Sequence, residues 1–160
     1  MSDLKNRAET PVTGERVALM AIDPRSANAI LSGTKGAEFR KHRLAPDIQR
    51  VVIYATAPIR RIVGEFSIGA TVVGSPDEIW RDVGHLGEIA EPAFHSYFHG
   101  RERAVAFLVS RTRRYTRSLA LGDLSPMPAV PHSTTYLAAD MFAGTQVRRW
   151  VAAPSSRPGC

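Results

Sequence analysis

Apolar and polar positions change period several times along this chain, and each change marks an element. "RVALMAI", Arg16 to Ile22, is an apolar run of strand length. "DPRSANAILSG" follows with helical spacing, since Ala27, Ile30 and Leu31 fall on one face. Asp23 is suited to cap that helix, because its carboxylate can accept the free N–H groups of the first turn. Pro24 fits the first helical position, and Gly33 can take the left-handed conformation that ends it. "KGAEFRKHR" is then extended. Strand alternation sends Glu38, Arg40 and His42 to one face and Ala37, Phe39 and Lys41 to the other. Arg50 to Pro58 reads as a buried strand stopped by proline.

From Arg61 to Val73 the even positions are apolar or glycine (Ile62, Gly64, Phe66, Ile68, Ala70, Val72), and the odd positions include Glu65, Ser67 and Thr71. That is the pattern of a half-buried strand, with glycines placed to bend it. Ser75 and Pro76 open a short helix, and "EPAFHSYFHG" is another that ends at Gly100. "RAVAFLVSRTRRYTR" is a strand that turns basic halfway. "LGDLSPMPAVPHSTTYL" is expected to be a loop with one helical turn, and from Ala139 the patterning is weak. These elements predict an α+β fold: a small, closed or strongly bent β-barrel with short flanking helices. One domain is expected over 16–138, after a disordered arm over 1–15 and before a partly flexible extension over 139–160.

Composition changes this picture in one respect. The chain has 160 residues, 44% hydrophobic and 22% charged, which is ordinary for one domain, but its formal net charge is +6. Such a balance favours an anionic partner, nucleic acid foremost. An arginine-rich composition alone would give the same charge. The only cysteine is the terminal Cys160, so no intrachain disulfide can form. No run is long enough to span a bilayer, and the N-terminus lacks the apolar segment of a secretory signal. A soluble cytoplasmic protein is expected, with no membrane partner and an open oligomeric state.

The densest chemistry lies in "LSGTKGAEFRKHR", Leu31 to Arg43. Lys35 is a compact charge that suits a phosphate or a base carbonyl. Glu38 can accept from an exocyclic amine or hold Arg40, and Arg40 can clamp a phosphate or stack on a base. From spacing alone, a structural ion pair between Glu38 and Arg40 beside a solvated Lys35 is the more ordinary outcome. Glu65 is a second carboxylate, able to act as a general base if it shares the cleft. Arg111, Arg113 and Arg114 with Tyr115 form a basic stripe interleaved with an aromatic, suited to a single strand or equally to a solvated strand end. His95 and His99 are four apart, too few for a metal site, and neither a metal nor another cofactor is expected. Phe94, Tyr97 and Phe98 read as core.

"AIDPRSANAILSGTKGAEFRKHR" resembles the opening of the ASCH domain family, whose G-x-K-x-x-E-x-R signature corresponds to Gly33, Lys35, Glu38 and Arg40. The resemblance continues through "RVVIYATAPIRRIVGEFSIG" and "PHSTTYL" and spans about residues 16 to 138. It implies a PUA-like barrel related to domains that bind RNA or modified bases, with roles proposed in RNA binding, translation or transcription coactivation. It also makes the mixed charge of the signature a binding site. One subgroup hydrolyses N4-acetylcytidine and places a threonine three residues after the lysine. This chain has Glu38 there, and Thr34 is out of register. The expectation is therefore an RNA- or modified-nucleoside-binding module whose site includes Gly33, Lys35, Glu38 and Arg40, joined by Arg111, Arg113, Arg114 and Tyr115. The rivals are a hydrolase of a modified nucleoside or RNA, using Lys35 with Glu38 or Glu65, and a regulatory protein that binds a small ligand.

Overall fold

The computed structural model describes residues 14–145 and 149–154. Most of the expected N-terminal arm, and residues 146–148 and 155–160 of the expected C-terminal extension, therefore lie outside the described residues. The first apolar run forms β1 (Arg16–Ile22). Asp23 then caps α1 (Pro24–Leu31), its carboxylate accepting from the Ser26 N–H at 2.9 Å. Gly33 has φ +83°, a conformation that costs glycine nothing because it has no Cβ. The chain leaves the helix there and enters β2 (Ala37–Arg40).

The remaining strands are β3 (Arg50–Ala55), β4 (Arg61–Gly74), β5 (Ala104–Leu119), β6 (Thr134–Ala138) and β7 (Val151–Ala152). They form one seven-stranded sheet in the order β2-β5-β4-β3-β1-β6, with β7 on β5. β1 and β3 run parallel; the other pairings are antiparallel. β6 departs from the expected loop. Its five residues pair with β1 and satisfy that strand's outer edge, while Pro126, Pro128 and Pro131 upstream mask so short a strand in the sequence.

The sheet is strongly bent, and its ladder is not closed into a barrel. β2 and β1 stand four places apart in the sheet order, which in a flat sheet would separate them by about 19 Å. Yet the Arg40 guanidinium on β2 donates to the Ala21 carbonyl on β1 at 2.6 Å. The curl comes from register shifts along the long β4–β5 pair, between Ile62 and Gly64 and twice between Ser67 and Ala70. Gly64 also lets α1 seat on the sheet, since a Cβ there would stand 2.8 Å from a Leu31 methyl and 2.7 Å from the Arg113 carbonyl. β4 is not simply half-buried: Ile62, Gly64, Glu65 and Phe66 are all buried, so both faces of its first half are covered.

Three apolar clusters hold this arrangement. One fills the space between α1 and the sheet, with Met20, Ile30, Ile53, Phe66 and Phe107. A second covers the opposite face of β1 and β3, through Leu19, Val52, Ile62 and Phe142. The third joins β2 and β5 to α2 (Pro76–Val83) and α3 (Glu91–Tyr97), through Phe39, Ile79, Phe94 and Phe98. Among the described residues no helix is long and apolar enough to cross a membrane.

Candidate functional site

The exit from α1 fixes where the signature lysine lies. The Thr34 and Lys35 N–H groups both donate to the Ala29 carbonyl, which turns the chain back over the helix. Lys35 is consequently buried, and its Nζ donates to Ser26 Oγ in the first turn of α1 at 3.3 Å. The same Nζ lies 3.2 Å from Glu38 Oε2. Glu38 in turn accepts at Oε1 from Arg40 Nε at 3.2 Å. Arg40 continues the chain of contacts to Ala21 O, and to Ser133 Oγ at 3.4 Å. Lys35, Glu38 and Arg40 are thus one connected set, and Lys35 is not solvated.

Glu38 is the centre of the set and is only 7% exposed. Its Oε2 has the Lys35 charge beside it, but no donor among the described residues is aligned to hydrogen-bond it. A buried carboxylate oxygen with a vacant acceptor position is uncommon, because an unsatisfied buried polar atom costs stability. Glu38 as a residue also contributes to the wall of a cavity of about 270 Å³. Asp23, Ser26, Lys35, Glu38 and Arg40 supply the polar wall, and Phe39, Ile89, Phe94 and Tyr97 the apolar one. Burial pushes the Asp23 carboxyl up, but hydrogen bonds from Ser26 and the Lys35 charge outweigh it and hold the group below its ordinary value.

Ser26 and Tyr97 are hydroxyl-bearing members of the wall that the sequence does not mark. Only the turn at Gly33 brings Lys35 back onto Ser26. Tyr97 was grouped with the core aromatics. Phe94 and Phe98 are indeed buried, whereas Tyr97 is 41% exposed and lines the cavity. Helical spacing does not separate them, since Tyr97 is three residues from Phe94 and Phe98 is four from it.

The other expected site residues are elsewhere. Glu65 does not share the cleft. It is fully buried between β3 and β5, where it accepts from Arg50 Nη2 at 3.0 Å, from Arg113 Nε and from the Tyr115 hydroxyl at 2.9 Å. Tyr115 is 4% exposed, so its ring is not open to stack on a base. Burial first, and then the Glu65 carboxylate, push its phenol far above the ordinary value. Arg114 donates to Asn28 Oδ1 at 3.1 Å and ties β5 to α1. Arg111 and Arg113 stack on the Trp150 ring, at 5.0 and 4.2 Å from its centroid. Of the basic stripe, Arg113, Arg114 and Tyr115 thus have structural partners, and none lines the Glu38 cavity. No group of three or more potential metal ligands occurs among the described residues.

No family model matches the chain. Among curated proteins, it is 33% identical over 132 residues to an ASCH domain-containing ribonuclease of Zymomonas mobilis, covering 80% of this chain and 88% of that one. Among solved structures, it superposes on the crystal structure of ASCH from Zymomonas mobilis with a TM-score of 0.72 at 30% identity, covering 78% of this chain and 90% of the other. A variant of that protein with a tyrosine replaced by phenylalanine matches with the same TM-score of 0.72, at 29% identity over 78% of this chain and 92% of the other.

Proposed function

The chain belongs to the ASCH domain family, with its PUA-like fold, and from that premise we propose that it binds RNA in the Glu38 cavity and cleaves it there. The observation that carries this reading is Glu38 itself: a buried carboxylate held between Lys35 and Arg40 in the wall of a cavity that also has an apolar side. A sugar hydroxyl is a donor of the right kind. The apolar wall of Phe94 and Tyr97 suits the face of an unstacked base, and Arg40 and Lys35 suit the phosphate between two nucleotides. The relative's name as a ribonuclease supports cleavage over binding alone.

The step runs as follows. Glu38 takes the proton of the ribose 2′-hydroxyl, and the 2′-oxygen attacks the adjacent phosphorus. The bond from phosphorus to the 5′-oxygen of the next nucleotide breaks, and that oxygen takes a proton from the Lys35 ammonium. Arg40 and Lys35 stabilise the charge gathered on the phosphoryl oxygens. The products are a 2′,3′-cyclic phosphate and a 5′-hydroxyl. Glu38 then holds a proton that Lys35 has lost. Proton exchange with water after the products leave restores both groups.

The test is cleavage of an unstructured RNA oligonucleotide by the purified protein, with analysis of the product ends. Cyclic phosphate ends are expected, and a 2′-deoxy sugar at the cleaved position should block the reaction. Intact RNA with retained binding would reduce the protein to a binding module. Equal activity in Glu38→Gln would remove Glu38 from the chemistry.

A further inference from the structure

The Glu38 cavity is not isolated. A second cavity of about 400 Å³ adjoins it, and Arg40 and Tyr97 belong to both. The two differ in charge. The first contains Asp23 and Glu38 opposite its cations. The second has Arg40, Lys41, His42 and Arg43 in its wall and no Asp or Glu among the described residues. Its remaining polar groups are hydroxyls. Tyr136 supplies one of them: its oxygen accepts from the Ala45 N–H at 2.9 Å, which leaves its own proton free to be donated. Lys41 lies over the Tyr97 ring, 4.6 Å from its centroid, which holds the ammonium near the junction of the two cavities. Beyond Arg43 and Leu44 a third cavity of about 200 Å³ continues the groove.

We propose that the second cavity is a phosphate subsite for the nucleotide adjoining the one held over Glu38. The inference rests on the RNA reading of the first cavity and deepens it. Cations and hydroxyl donors without a carboxylate form an anion receptor, and a neutral nucleoside would leave it unfilled. Arg40, common to both walls, is placed to meet the backbone as it passes from one cavity to the next. A base that enters the first cavity must have left its stack, which excludes a continuous duplex.

The test uses RNA made non-cleavable with 2′-O-methyl sugars, in three forms: a nucleoside, a dinucleotide carrying a phosphate at each end, and an octamer. Each is titrated against the wild type, Lys41→Ala/Arg43→Ala, and the charge-preserving Lys41→Arg/Arg43→Lys. The phosphorylated dinucleotide should bind at least tenfold more tightly than the nucleoside. The double alanine variant should lose most of that gain and keep its nucleoside affinity, and the charge-preserving variant should recover it. Equal affinity for nucleoside and dinucleotide, or an equal loss for both in the alanine variant, would overturn the subsite. Cleavage of natural RNA is measured in parallel. Cleavage that persists in the double alanine variant at unchanged KM defeats the subsite and leaves the ribonuclease reading standing. A tenfold gain without any cleavage supports the subsite and defeats the cleavage step alone.

Discussion

Neighbouring residues of β2 do opposite jobs, and substitution can separate them. Glu38 faces the cavity, while Phe39 turns into the cluster under α2 and α3, meeting Phe94 edge-to-face at a centroid distance of 5.0 Å. Phe39→Ala should cost about 3–5 kcal/mol, read as a lower denaturant midpoint at unchanged slope. Glu38→Gln keeps the shape and a hydrogen-bond acceptor but removes the base. It should lower cleavage by roughly 10²–10⁴-fold, and it should also lower the melting temperature, since Lys35 and Arg40 lose a buried counter-ion. Cleavage is therefore compared at a temperature where both proteins are folded, and equal rates there would leave Glu38 only its role as counter-ion. Glu65 was the harder residue to read. Alternation put it on the polar face of β4, yet the curl of the sheet closes β3 and β5 over that face, and only the register brings Arg50, Arg113 and Tyr115 onto one carboxylate.

At the scale of elements, α1 and the turn after it were legible because their punctuation is local. Asp23, Pro24 and Gly33 each act on the backbone within a few residues, so the sequence alone places the emergence of Lys35. Asp23→Ala should therefore cost about 0.5–2 kcal/mol and loosen Lys35 as well. Because the folded Asp23 carboxyl is held below its ordinary value, its contribution is complete above that ordinary value and is lost as pH falls through the lower, folded one. An acid titration of the wild type against Asp23→Ala should show the two stabilities converging only at that acidic end. β5 was less legible, since its partners are distant in sequence. Its arginines read as a nucleic-acid stripe, but Arg113 is committed to the buried Glu65, 48 residues away. Arg113→Ala should cost about 1–3 kcal/mol of stability, moderated by the Arg50 and Tyr115 bonds that Glu65 keeps. RNA affinity at a temperature where the variant is folded should be unchanged. A loss of affinity in the folded variant would return β5 to the binding surface.

For the molecule as a whole, the net charge of +6 indicates an anionic partner but does not say how many charges meet it. Two sets of cations stand apart among the described residues. Arg16, Arg50, Arg81 and Arg113 are paired with acidic side chains away from the cavities. Arg40, Lys41 and Arg43 line the groove around the second cavity. If RNA follows that groove, about three phosphates are neutralised, and the logarithm of affinity should fall against the logarithm of salt with a slope near −2, at roughly −0.7 per contact for a single strand. If the whole positive charge acted diffusely, about six contacts would give a slope nearer −4. Titrating the non-cleavable octamer between low and moderate salt distinguishes the two. Lys41→Ala/Arg43→Ala should then bring the slope to about −0.7, since one contact remains. Arg111→Ala, on the β5 side under Trp150, should leave the slope unaltered. A steep slope that Arg111→Ala reduces and the groove variant does not would place the RNA on the β5 face and separate RNA binding from the Glu38 cavity.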